Sequence, residues 1–196
     1  GVMNALSPHF NFKVFSMNEV ENGFFDDVDM VVFPGGIGDS DSYDTILKNN
    51  KDVVVDYVKK GGKYLGICMG AYWADKDYFD ILDDVRVVQY IKQPNTCTRR
   101  PHAKNMPTNW FNGHYERMFF YDGPTFTGHG SYKTIAAYDT TGYPMAIKQN
   151  NIMLIGCHPE SEQFWYDSYS WLKGKYHNGT HHEILLDLID EFLEIE

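Results

Sequence analysis

Long hydrophobic runs are missing from this chain of 196 residues. Its apolar stretches are short, as at Ile152-Met153-Leu154-Ile155, far below the roughly 18 or more apolar residues of a membrane span. Gly1 to Asn11 has no basic start followed by an apolar stretch, so no cleavable signal is expected there. Basic charge is scarce as well. Lys+Arg is 17 against 27 Asp+Glu, a net charge of −10 with histidine neutral. Nucleic acid and anionic membrane both demand a basic face, so neither is expected as a partner. Cysteine is sparse and odd in number: Cys68, Cys97 and Cys157. No disulfide framework is expected, which points to a reducing, cytoplasmic compartment. No repeat, low-complexity tract or Ser/Gly/Pro-rich linker divides the chain, so residues 1–196 are read as a single domain.

What is present is a globular profile, 43% apolar with 22% charged residues, too apolar for a disordered chain. Residues 1–8 resemble the end of a helix cut short. Phe10, Phe12 and Val14 alternate with polar residues and predict a strand over Asn11–Ser16. Asp29–Phe33 reads as a short buried strand stopped by Pro34-Gly35-Gly36. Apolar positions 46, 47, 53, 54, 57 and 58 have helical spacing, with Gly61-Gly62 as the stop. Lys63–Ile67 then reads as a strand and Met69–Asp75 as a helix. Strands alternating with helices predict a parallel sheet covered on both faces.

The second half reads differently. Strands are expected over Val85–Ile91, Met118–Tyr121, Lys133–Tyr138, Pro144–Lys148 and Ile152–Gly156. Asn150-Asn151 is placed as the turn of a hairpin joining the last two. Residues 92–117 read as a long loop with three prolines. Thr180-His181-His182-Glu183 fits a capping box opening a final amphipathic helix.

Three local patterns carry chemistry. Gly66-Ile67-Cys68-Met69-Gly70 sits between a predicted strand and a predicted helix. A nucleophile on such a turn is held in a strained backbone, and flanking glycines let neighbouring backbone pass close by. A sulfur at a helix N-terminus is favoured as thiolate. The other reading of the pentapeptide is an ordinary buried cysteine in a glycine-rich turn. His158-Pro159-Glu160 follows the last apolar strand. In an extended segment His158 and Glu160 would project side by side, letting the carboxylate orient the imidazole. Pro34-Gly35-Gly36 would share the C-terminal edge of the sheet with Cys68. Backbone N–H groups of Gly36 and Met69 there would form an oxyanion hole; alone, Pro-Gly-Gly also reads as a plain turn.

In this order, Pro34-Gly35-Gly36, Gly66-Ile67-Cys68-Met69-Gly70 and His158-Pro159-Glu160 resemble the class I glutamine amidotransferase superfamily. Within it, the stretch Gly61–Tyr72, with Tyr121–Phe126 and Ala137–Pro144, is similar to the amidotransferase-like domain at the N-terminus of some biotin–protein ligases and its stand-alone relatives. The resemblance covers about residues 5–160. It implies a flavodoxin-like three-layer α/β sandwich, with a mostly parallel central sheet, flanking helices and an antiparallel extension in the second half. It also implies a Cys68-His158-Glu160 triad acting on a carboxamide or related acyl substrate, with Gly35 and Tyr72 beside that substrate. No cofactor and no metal is implied, while an acceptor or synthetase partner would be unidentified.

Two departures bear on that expectation. Glutamine-using members carry Gln four residues after the nucleophile, where this chain has Tyr72. The strand and helix that open the family would be truncated by residues 1–8. No segment resembles a biotin ligase catalytic domain, so ligase activity is not expected. A rival reading is a non-catalytic regulatory or ligand-binding module, since fold does not dictate function. A glyoxalase or chaperone role of DJ-1-like type would need an acidic residue beside the cysteine, and the strand before Cys68 offers none.

Arg99-Arg100-Pro101-His102-Ala103-Lys104 is a basic run that would suit a carboxylate or phosphate, or else a solvated loop. His177, His181 and His182 crowd the start of the last helix without ligand spacing that compels a metal. Cys157 is expected in the core and Cys97 as a free thiol in a loop.

Overall fold

The computed structural model describes residues 1–16, 19–35 and 50–194. Along the chain come α1 (Val2–Leu6), β1 (Met30–Phe33), α2 (Lys51–Lys59), β2 (Lys63–Ile67), α3 (Met69–Tyr72) and β3 (Val85–Gln89). Then follow β4 (Lys104–Trp110), β5 (Tyr115–Phe120), β6 (Pro124–Gly128), β7 (Lys133–Tyr138), β8 (Pro144–Gln149) and β9 (Ile152–Ile155). The helices α4 (Gln163–Asp167) and α5 (Thr180–Leu193) close the chain. The main sheet has seven strands in the order β1-β2-β9-β8-β7-β4-β5. β1, β2 and β9 run parallel, and the extension from β8 to β5 is antiparallel. β3 and β6 pair separately as a two-stranded antiparallel sheet.

Alternation along the strands divides the core into two layers. In β2, Leu65 and Ile67 enter one cluster while Tyr64 enters the other; in β9, Met153 and Ile155 oppose Ile152 and Leu154. The first face is covered by α1 and α5. Leu185, Ile189 and Phe192 recur at helical spacing and are fully buried there, stabilising the fold by about 2 kcal/mol each. The second face is covered by α2, α3 and the β3–β6 ribbon, through Val54, Val58, Ala71, Val87 and Phe126. The result is the flavodoxin-like three-layer α/β sandwich with its antiparallel extension.

Several local expectations are corrected. Asn11–Ser16 forms no strand. Phe12 and Val14 face solvent, while Phe15 turns inward against Phe24, Phe25 and Phe33, so the apparent period had the wrong phase. The stretch 92–117 contains β4, despite Pro107. Pro107 pairs with Arg117 on one side, and on the other β7 pairs only with Thr108, Asn109 and Trp110. The Pro107 carbonyl accepts from the Asp139 N–H just past the end of β7. Its missing N–H therefore falls where no ladder partner is required. The helix after Cys68 ends at Tyr72, and Trp73–Asp75 continue as turns. The capping box at Thr180 does not form: Gly179, with φ 90°, is the N-cap, and Thr180 Oγ1 donates to the His177 carbonyl. Positions 46–49 of the expected first helix lie outside the described residues.

Candidate active site

Parallel pairing puts the C-terminal ends of β1, β2 and β9 on one edge. Each end feeds one of the motifs. Cys68 follows β2 with φ 52° and ψ −103°, in the left-handed half of backbone space, and is the N-cap of α3. Its N–H donates to the Ile155 carbonyl at 2.8 Å, tying the turn to the end of β9. The glycines around it are required by contact. A Cβ on Gly70 would lie 1.7 Å from the Phe33 carbonyl oxygen, and one on Gly66 would lie 2.4 Å from the Gly70 oxygen. The Tyr64 hydroxyl donates to that same Gly70 oxygen at 2.6 Å. Met69 is the first residue of α3, so its N–H has no carbonyl one turn back.

His158 and Glu160 meet by a different backbone route from the extended one expected. Ser161 N–H donates to the His158 carbonyl at 3.2 Å, closing a turn with Pro159 in the second position, which its fixed φ suits. The two side chains still meet: His158 Nδ1 lies 2.5 Å from Glu160 Oε1. Both are buried, His158 6% and Glu160 1% exposed. The His158 N–H donates to the Phe119 carbonyl at 2.8 Å, and the rings of Phe119 and Trp165 stand edge-on to the imidazole at 5.9 and 5.3 Å. Glu160 Oε2 has no hydrogen-bond partner among the described residues.

Gly35 joins this pair to the cysteine. A Cβ there would lie 2.5 Å from His158 Cε1 and 3.4 Å from Cys68 Cβ. A side chain at this position would collide with the imidazole. Burial alone would drive the His158 pKa down, but the Glu160 charge and then Cys68, by its charge and a side-chain hydrogen bond, push it up to about 10. Gly36 lies outside the described residues.

Tyr72 also borders Cys68. Its hydroxyl donates to the Asp122 carbonyl at 2.8 Å. Burial, followed by the neighbouring Cys68 and Asp122, raises its pKa well above the ordinary tyrosine value. Sequence reasoning did not assign this loop a place in the site. Cys68 Sγ lies 3.5 Å from the Tyr121 carbonyl. Asp122 takes φ 49° and its carboxylate accepts from Gln89 Nε2 at 3.1 Å to each oxygen. A Cβ on Gly123 would strike the Gly156 carbonyl at 1.9 Å. Because the loop meets Cys68 and Tyr72 through backbone carbonyls, residue type carries little signal; only the likeness over Tyr121–Phe126 points to it.

The remaining candidates separate from this edge. Cys157 is fully buried in the first core layer and Cys97 is exposed. His177 Nε2 and His182 Nε2 both donate to the Ser161 carbonyl, at 2.8 and 2.9 Å. His181 Nε2 lies 3.1 Å from Glu116 Oε2. The His177 pKa falls to about 4 through burial and then the neighbouring His181, and that of His181 to about 4 through burial and then His182. Among the described residues no three His, Cys, Asp or Glu side chains group so as to hold a metal ion, and no helix is long and apolar enough to cross a membrane.

Residues 2–88 match the family described as Biotin-protein ligase, N terminal. No curated protein matches the chain. Among solved structures, a glutamine amidotransferase is similar over 99% of this chain and 93% of its own, at 16% identity and a TM-score of 0.68. A glutamine amidotransferase from Thermotoga maritima is similar over 98% of this chain and 90% of its own, at 15% identity and a TM-score of 0.68. PurLQS from the same organism is similar over 95% and 91%, at 14% identity and a TM-score of 0.63. At such identities the likeness is one of fold.

Proposed function

The chain is class I glutamine amidotransferase-like in fold, and from that premise we propose that residues 1–196 act as one domain and hydrolyse, or transfer ammonia from, a carboxamide or related acyl group through a Cys68 thiolate. The observation that carries the proposal is the buried His158–Glu160 pair, 2.5 Å apart, beside a cysteine at φ 52°, with Gly35 bordering both His158 and Cys68.

The steps follow from the residues. His158 holds the proton of Cys68, and Glu160 accepts from Nδ1 to fix the tautomer. The Cys68 sulfur attacks the carbonyl carbon, and the carbonyl π pair moves onto oxygen. The Met69 N–H donates to that oxyanion, an effect worth about 3 kcal/mol for one donor. As the tetrahedral species collapses, the C–N bond breaks and His158 gives its proton to the departing amine. Water then attacks the thioester with His158 as base, and the carboxylic acid leaves Cys68 free again. The small-molecule amide or acyl substrate would sit beside Gly35 and Tyr72.

A second reading is favoured by Tyr72, whose hydroxyl is committed to the Asp122 carbonyl: a module that binds an amide-like ligand without turning it over. Ammonia release from glutamine, small primary amides and γ-glutamyl compounds separates the two. Turnover lost in Cys68→Ala supports hydrolysis. Binding that survives Cys68→Ala, with no ammonia from the parent protein, supports the module.

A further inference from the structure

A cavity of about 420 Å³, not lined by Cys68, lies where β4, β5 and the 169–175 turn meet. Its wall includes His102, Lys104, Asn105, Arg117, Trp171 and Lys175, and among the described residues no acidic side chain lines it. We propose that this cavity binds a small phosphate-bearing molecule with a flat ring, of nucleotide size.

Charge is the first argument. In a chain of net charge −10, three obligate cations converge on one concave surface. Among the described residues none of the three forms an ion pair. Like charges gathered without a counterion repel one another, and an anion in their midst relieves that repulsion. Arginine and lysine together suit phosphate oxygens, the first as a planar fork and the second as a point charge. Of the basic run in the sequence, His102 and Lys104 reach the cavity, whereas Arg99 and Arg100 stay exposed outside its wall.

The polar lining is the second argument. His102 Nδ1 and Asn105 Oδ1 are shut off from solvent and have no hydrogen-bond partner among the described residues. An unpartnered buried polar atom is destabilising, and a ligand toward which either side chain turned would give it a partner.

Size and the aromatic surface supply the third. The volume suits a drug-sized or cofactor-sized molecule rather than a bare inorganic ion. Trp171 is 52% exposed, yet its ring is fixed. Its Nε1 donates to the Ala103 carbonyl at 2.8 Å, and the rings of Tyr169 and His102 flank it at 5.1 and 6.0 Å. A rigid exposed indole beside a cationic pocket offers a stacking face for a base at little entropic cost. Beneath lie Leu172 and Phe119, both buried in the cluster that also holds Tyr166, so the wall rests on packed structure.

Nothing in this site uses Cys68, so it stands or falls apart from the amide chemistry. Isothermal titration at near-physiological salt, on the parent protein and on Cys68→Ala alike, would use AMP, GMP and UMP with their diphosphates, alongside adenosine and inorganic phosphate. The expected result is binding of nucleotides at least tenfold tighter than of adenosine or phosphate alone. Raised salt weakens it, and the doubly reversed variant Arg117→Glu/Lys175→Glu, checked for folding by circular dichroism, weakens it at least tenfold. Trp171→Leu should lose the preference for nucleotide over phosphate. Absence of nucleotide binding at millimolar concentration, equal binding of adenosine, equal binding of phosphate, or binding unchanged by charge reversal would each overturn the proposal.

Discussion

Gly70 has no room for even one methyl group. A Cβ would sit 1.7 Å from the Phe33 carbonyl oxygen, a backbone atom that cannot rotate away. Gly70→Ala is therefore expected to destabilise the protein by about 3 kcal/mol or more, measurable by urea denaturation. The sharp turn at Cys68 was legible in the sequence because backbone passing this close demands glycine at 66 and 70. The His158–Glu160 contact was legible from spacing, although Pro159 produces it by a turn rather than an extended run. Gly36 lies outside the described residues. The contacts of Cys68 and Tyr72 with the Tyr121 and Asp122 carbonyls were not legible, because every residue has a carbonyl. At this scale pH has a definite sign. His158 titrates at about 10, above the ordinary histidine value of 6.5. Its stabilising contribution is complete below pH 6.5 and disappears as pH rises through about 10. Glu160→Gln removes the largest charge that raises it. In that variant the alkaline limb of an ammonia-release profile should move down by at least one pH unit, while the parent holds its rate until near pH 10.

At the scale of elements, the segment after α3 and β3 are held together by one carboxylate. Asp75 is 4% exposed. It accepts from Arg86 Nε and from Arg86 Nη2, each at 3.0 Å, and from the Val87 N–H at 2.9 Å. Asp75→Ala leaves the Val87 donor buried without its partner, so a loss of about 1–3 kcal/mol is expected. Arg86→Ala should cost less, because that side chain is half exposed and solvent replaces its contacts. Thermal denaturation of the two variants reads the difference. Element existence was legible wherever a period repeated, as in α5, or an apolar run stood out, as in β9. It was not legible in β4, where Pro107 and four polar residues hide a strand whose pairing depends on where β7 ends. Asn11–Ser16 erred the other way, since alternation without a partner strand makes no ladder.

For the whole molecule, two histidines contribute to the acid side of the stability curve. His177 and His181 stack at 4.3 Å and are held neutral down to about pH 4. Below about pH 6.5 the unfolded chain gains protons that the folded chain refuses, so their contribution to stability falls as pH drops from 6.5 to 4. The melting temperature should decline across that window, and the decline should be shallower in His177→Gln/His181→Gln. The layered sandwich itself was legible, since helices between β1, β2 and β9 leave few topologies open. What joins the three strand ends into one site is the claim that matters most: Cys68 is activated by His158. The direct measurement is the rate of iodoacetamide alkylation of each cysteine at pH 6, read by peptide mass spectrometry. The account predicts that Cys68, though more buried than Cys97, reacts at least tenfold faster and loses that advantage in His158→Ala. Equal or slower reaction at Cys68, or a rate indifferent to His158→Ala, would contradict it.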